Sequence, residues 1–244
     1  MIWTGTCGFG RRQADVVRGL DAIEIQETFY RPVSVDRAKK WRSLAPPEFR
    51  FAVKASQFIT HPATSPTYRR SGRKIPADEG AAYGGFQDTP AVREGWESTR
   101  AVAEALRAEA IVFQAPASFA PTDANRAALY RFFDSIRTDA VKGLELRGGG
   151  WAAHVVEKIC EDLGLVHIVD PFDRESATYG LAYFRLHGKP PGPTPYRYTY
   201  TDEDLLRLRS FADEYDDAYV MFNNLTMHPD AIRFRTLLTD RPGT

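Results

Sequence analysis

Short apolar runs rich in β-branched residues alternate along the chain with segments whose apolar residues recur at helical spacing. Ile2 to Thr6 predicts a first strand, ended by Cys7-Gly8-Phe9-Gly10, and Val16, Val17 and Leu20 predict a helix behind it. Further strands are predicted at Ala22 to Thr28, Phe49 to Ala55, Ala110 to Ala115, Lys142 to Arg147, Leu165 to Asp170, Leu181 to His187 and Ala218 to Asn223. Ser34 is a good N-cap for a helix carrying Ala38, Trp41 and Ala45 and stopped by Pro46-Pro47. Other helices are predicted over Ala91 to Ala108, after Thr122 with Leu129, Phe132, Phe133 and Ile136 on one face, and from Trp151 with Val156, Ile159, Cys160 and Leu163 on one face. Thr201 and Asp204 form a capping-box pattern before Leu205, Leu208 and Ala212, and Pro229 suits the first position of a last helix through Leu238.

Strands alternating with helices predict an α/β fold, a (β/α)8 barrel near the usual size of about 250 residues. No linker divides the chain, so residues 1–244 are expected to form a single domain. An open doubly wound sheet is the structural alternative, but Gly5-x-x-Gly8-x-Gly10 does not match its dinucleotide loop. Residues 56–90 lack periodicity and are rich in Pro, Gly and Ser, which predicts a long lid or binding loop. Pro171 to Gly180 has room for one helical turn, and Gly188 to Pro195 is a Pro/Gly-rich run.

Composition adds mostly exclusions. Lys plus Arg and Asp plus Glu number 32 each, so the overall field gives no drive toward nucleic acid or anionic membrane. No apolar run approaches the roughly 20 residues that span a bilayer. The N-terminus enters a strand-like run within two residues, which predicts a cytoplasmic protein without a signal peptide. Cys7 and Cys160 form no CxxC pair and are expected to be reduced.

Period-two alternation then sorts each strand's side chains between helix layer and interior. Phe184 and Leu186 share one face of their strand, leaving Tyr183, Arg185 and His187 on the other. By the same rule Glu24, Gln26 and Thr28, Lys54, Gln114, Glu145 and Arg147 face inward, with Asp170 and Asn223 at strand ends. Three acids and three permanent cations on a buried face are costly unless paired or working, and most lie at C-terminal strand ends, where barrel enzymes keep their catalytic groups. Arg147 and Arg185 are candidates to clamp a phosphate or carboxylate. Lys54 can do so as a point charge or act as a base, and Glu145, His187 and Asp170 complete the candidate catalytic set. Against this stands a structural reading, in which Glu24 is an ion-pair partner of Lys54 or Arg185.

Tyr68-Arg69-Arg70-Ser71-Gly72-Arg73-Lys74 is a possible guide for a polyanion, or a solvated surface loop. His61, Glu145, Asp170 and His187 are metal-ligand types, but no HExxH or similar spacing is present and three cations compete, so a divalent metal is the less favoured cofactor. Cys7 reads equally as a nucleophile or a small buried thiol. Gly188-Lys189 and the start of the last helix occupy positions where barrels often hold phosphate.

The ordered set Glu24-Ile25-Gln26-Glu27-Thr28-Phe29-Tyr30, Phe51-Ala52-Val53-Lys54, Thr60-His61, Gln114-Ala115-Pro116, Glu145-Leu146-Arg147 with Trp151, Arg185-Leu186-His187-Gly188 and Asn223-Asn224 resembles the YecE-like family, domain of unknown function 72. The resemblance spans nearly the whole chain. It implies a TIM-barrel fold similar to endonuclease IV and xylose isomerase, and a shared cleft at the polar ring that also takes in Tyr30 and His61. It supplies no reaction. The sequence departs from the family in a shorter first loop, in Gly148 where His is frequent, and in Gln26 where Asn is common.

Three functions compete on these grounds. The leading one is an enzyme acting on a small anionic substrate at the C-terminal barrel mouth, by hydrolysis or by acid-base chemistry of the lyase or isomerase kind. The second is a metal-dependent hydrolase of nucleic acid using Arg69, Arg70, Arg73 and Lys74. The third is a non-catalytic ligand-binding barrel.

Overall fold

A computed structural model of the chain describes residues 1–188 and 195–239. Its strands are β1 (Ile2–Cys7), β2 (Ala22–Ile25), β3 (Arg50–Lys54), β4 (Ala110–Ala115), β5 (Val141–Leu146), β6 (Leu165–Val169), β7 (Leu181–Leu186) and β8 (Asp217–Phe222). They follow one another round a closed barrel in sequence order, with parallel pairing wherever the register is defined. The helices are α1 (Gln13–Gly19), α2 (Glu27–Tyr30), α3 (Val35–Ser43), α4 (Gln57–Thr60), α5 (Pro90–Leu106), α6 (Asp123–Ser135), α7 (Ala153–Leu163), α8 (Asp202–Asp213) and α9 (Met227–Thr239). The chain divides into two compact units, one of Met1–Glu24, Leu44–Arg50 and the residues from Val166 onward, the other of Ile25–Ser43 and Phe51–Leu165.

In the first unit, register sets an aromatic layer. Tyr183 pairs with Tyr219 and Tyr219 with Trp3, so the three rings stand side by side at 5.3 and 4.7 Å between centroids. Arg50 lies 3.8 Å above the Trp3 ring and donates to the Tyr219 hydroxyl at 3.0 Å, so a ring face and a phenol oxygen both meet its charge. One layer further along, Arg185 pairs with Met221 and Met221 with Gly5. A Cβ on Gly5 would lie 2.5 Å from the Ala22 carbonyl oxygen, so only glycine fits there. On the opposite faces Phe184 packs on Tyr215 and Phe222 on Phe234, which places alternate residues of β7 and β8 against the helices.

In the second unit, Phe113 of β4 meets Trp96, Phe132 and Phe133 of the helix layer, while Phe51 lies under the Arg42 guanidinium of α3. Thr89 and Thr122 cap α5 and α6 by accepting from the backbone N–H three residues on. Thr201 and Asp204 form the complete capping box of α8 in the first unit. Helix α9 starts at Met227 rather than Pro229, which puts the proline in the first turn, where a missing N–H leaves no helical bond unmade.

Two expectations are corrected. Strand β2 stops at Ile25, and the residues expected to extend it form a helical turn closed by the Arg31 N–H on the Glu27 carbonyl. Thr28 therefore does not line the interior, and its hydroxyl donates to the Lys54 carbonyl at 2.6 Å. The stretch expected to be a long irregular loop holds α4 and 3-10 turns at Pro66–Arg70 and Gly80–Ala82. It also has a small core of Phe58, Tyr68, Tyr83 and Ala91. Of the Gly188 to Pro195 run, Lys189 and its neighbours through residue 194 lie outside the described residues.

Candidate functional site

Within the first unit, β2 and β7 carry a fully buried ion pair. Arg185 donates from Nε to Oε2 of Glu24 and from Nη2 to Oε1, both at 3.0 Å, and neither side chain is exposed. The Tyr183 hydroxyl donates to the same Oε2 at 2.9 Å, and the Cys7 thiol approaches it at 3.6 Å. Burial, and then the Glu24 charge, push the Tyr183 phenol well above its ordinary pKa, so it remains a donor. A carboxylate held by a guanidinium fork and a phenol is positioned to fix two strands together. Tyr183 was not a candidate from sequence, although its parity with Arg185 was the available signal.

Asp170 and His187 also come together in this unit, at the ends of β6 and β7. Asp170 Oδ2 accepts the His187 backbone N–H at 2.9 Å and Oδ1 accepts that of Phe172 at 3.2 Å. The His187 Nδ1 is 3.7 Å from Oδ2, beyond hydrogen-bond range, and the imidazole meets the Tyr196 ring edge-on at 5.9 Å. Asn223 follows β8 and ties its backbone N–H to the Leu186 carbonyl, while Asn224 is buried in a network with Thr226 and Asp230.

In the second unit, register brings Lys54 beside Val112 and Gln114 beside Glu145, which sets Lys54, Gln114 and Glu145 on one face of β3, β4 and β5. All three are less than a tenth exposed. Arg147, just past β5, donates from Nε to Glu145 Oε1 at 2.6 Å and keeps 31% of its side chain exposed. The Lys54 ammonium stands 3.9 Å over the Phe29 ring, and Phe29 meets the His61 imidazole edge-on at 4.9 Å. His61 follows α4 and its Nδ1 is 2.7 Å from the Thr60 hydroxyl. Its pKa falls to about 4, chiefly through burial, then through Lys54 and Arg147, with Glu145 opposing. His61 is thus neutral at physiological pH and sits in a net positive potential.

The remaining predicted residues lie round this cluster or apart from it. Gln26 precedes α2 and is half-buried, and Tyr30 ends α2 with its carbonyl accepting from the buried Gln57 amide. Gln57 itself was missed, because nothing in the sequence separates it from the surrounding irregular stretch. Of the loop cations, Arg70 lies 3.6 Å over the Tyr30 ring and Arg73 pairs with Glu94 at 2.8 Å, whereas Arg69 and Lys74 are exposed. Gly148 is where a Cβ would lie 2.7 Å from the Phe119 carbonyl oxygen, so a side chain there would force one of the two facing turns to shift. The Trp151 indole donates to that same carbonyl at 2.9 Å and stacks on Phe119. Among the described residues, no group of three or more His, Cys, Asp or Glu side chains is gathered as for a metal, and no helix is long and apolar enough to cross a membrane.

A family model described as "Protein of unknown function DUF72" matches residues 12–242. A DUF72 family protein from Enterococcus faecalis V583 has a similar structure, with TM-score 0.75 and 20% identity over 99% of this chain and 98% of that one. Another, from Thermotoga maritima MSB8, gives 0.70 and 21% identity over 98% of this chain and all of that one. Endonuclease IV from Thermus thermophilus gives 0.54 and 13% identity, with 97% of each chain covered, a likeness of fold. No curated protein matches the sequence.

Proposed function

The chain belongs to the DUF72 family of TIM-barrel proteins, and from that premise we propose that it is an enzyme acting on a small phosphate- or carboxylate-bearing substrate at the ends of β3, β4 and β5. The observation that carries this reading is the cluster of Lys54, His61, Gln114, Glu145 and Arg147, in which two cations and one carboxylate leave a positive potential at a buried neutral imidazole. Such a potential favours an incoming anion. Arg147 offers the part-exposed guanidinium, and Lys54 adds a point charge held against Phe29. Glu145 is the proton acceptor, aligned by Arg147, and neutral His61 contributes a ring nitrogen for hydrogen bonding to substrate.

Arg185 takes no part as an anion clamp in this scheme, since Glu24 occupies two of its donors. His187 and Asp170 are kept as a separate pair whose carboxylate serves backbone N–H groups.

The test is calorimetric titration of the intact protein with inorganic phosphate, sulfate and citrate. Saturable binding of one of them, weakened about tenfold or more in Arg147→Met and in Lys54→Met, supports the reading, since a charge-assisted contact is worth about 1.5–3 kcal/mol. Affinity unchanged in both variants, or no binding at any concentration, sinks it. Turnover is sought separately by incubating a library of phosphate esters and hydroxy acids with the protein and with Glu145→Gln, which is expected to bind without turning over.

A further inference from the structure

The first unit contains a cleft of about 730 Å³ between the turn after β1 and the start of α9. Gly10, at a φ of 49°, brings that turn so close to the Met227 side chain that a Cβ would overlap its methyl group. Arg11 and Arg12 form one wall, and both are exposed. Neither guanidinium has a hydrogen bond or ion pair among the described residues. His228 lines the cleft from α9, with its Nε2 enclosed on the side of Gly19. The one carboxylate of the lining, Asp15, is within 3.4 Å of Arg18. Leu225 is 74% exposed and, with Met227, gives the cleft an apolar side.

We propose that this cleft binds a small phosphomonoester whose body is apolar or planar, the chemistry presented by a nucleoside 5′-monophosphate. Two adjacent guanidiniums without partners match the oxygens of one phosphoryl group. The apolar side takes the body of the molecule, and the volume lies in the usual range for small-molecule sites, about 300–1,000 Å³. None of these residues belongs to the β3–β5 cluster, so the inference goes beyond the proposed function and does not rest on it.

The experiment is isothermal titration of the full chain with adenosine 5′-monophosphate, adenosine and inorganic phosphate. Saturable binding of the nucleotide, with the other two at least about tenfold weaker, is the expected result. The double variant Arg11→Ala with Arg12→Ala removes two exposed, unpaired side chains and is expected to melt as the wild type does while losing about tenfold or more in affinity. Leu225→Glu, also at an exposed site, is expected to weaken nucleotide binding by setting a hydrated carboxylate on the side that takes the apolar body and adding negative charge to the cleft. Lys54→Met with Arg147→Met is expected to leave nucleotide affinity unchanged. The inference is overturned if the nucleotide gives no saturable heat, or if affinity is the same in both the arginine and Leu225 variants. It is overturned too if binding is lost only with Lys54 and Arg147, a result that would assign the nucleotide to the β3–β5 cluster instead.

Discussion

Glu24 and Arg185 hold each other through two parallel hydrogen bonds of 3.0 Å with no exposed surface on either side chain. Breaking a buried pair by removing one partner costs about 3–5 kcal/mol, because the other is left as an uncompensated charge. Arg185→Met is therefore expected to lower unfolding free energy by that amount, and Glu24→Gln by less, since a glutamine can still accept from the Tyr183 hydroxyl. Urea denaturation measures both. A loss under about 1 kcal/mol in Arg185→Met would remove the structural role given to the pair.

His61 predicts a pH dependence whose sign is fixed by its lowered pKa. Between its ordinary value of 6.5 and the folded value of about 4, the unfolded chain carries a proton on His61 that the folded chain does not. The unfolded state then binds more protons, so stability rises with pH across this window and is lost as pH falls through it. The whole shift bounds the effect at about 3 kcal/mol. His61→Gln should flatten the corresponding part of the stability profile between pH 4 and 6.5. Proton NMR of the folded protein supplies the direct check: a His61 ring titrating near its ordinary value would refute the buried, cation-flanked setting.

The segment between β3 and α5 is expected to behave as packed structure. Phe58, Tyr68 and Tyr83 share a core, with Phe58 and Tyr68 stacked at 5.8 Å and the Tyr68 hydroxyl donating to the His61 carbonyl at 3.0 Å. Tyr68→Phe should cost about 1 kcal/mol for the lost bond, and Tyr68→Ala about 3–5 kcal/mol for the cavity. Limited proteolysis gives the local readout. The wild type should resist cleavage from residue 61 to residue 89, and Tyr68→Ala should be cut there; rapid cutting of the wild type would restore the open-lid picture.

Particular residues show what sequence reasoning reaches here. Side-chain parity in β3, β4, β5 and β7 was legible, because a two-residue period follows from strand geometry and needs no knowledge of neighbours. Arg185, Glu145, Gln114 and Lys54 accordingly sit on the interior-facing side of their strands. The end of β2 was not legible, since Thr28, Phe29 and Tyr30 are good strand residues that tertiary contacts hold in a helical turn. Nor was the small core after β3, whose members at 58, 68 and 83 follow no period and meet only through the 3-10 turns between them. Which inward carboxylate meets which cation lay out of reach as well, because parity names a face and gives no partner.

Gly148 offers the sharpest steric prediction. The residue follows Arg147 directly, and an added Cβ would lie 2.7 Å from the Phe119 carbonyl oxygen and 3.0 Å from that of Ala117. Both are backbone atoms, which cannot swing aside as a side chain would, and the Phe119 carbonyl already accepts from the Trp151 indole. Gly148→Ala must therefore displace the turn after β4 or the one after β5, at a cost of about 1–3 kcal/mol. If β5's turn moves, Arg147 moves with it and its 2.6 Å bond to Glu145 is strained, so anion binding should weaken along with stability. If the turn after β4 moves instead, the stacking of Phe119 on Trp151 changes and the near-ultraviolet circular dichroism should report it while anion affinity holds. Calorimetric affinity for phosphate and the tryptophan dichroism, measured on the same variant, separate the two outcomes. A variant as stable as the wild type, with both signals unchanged, would show that the close approach of these turns is not a constraint.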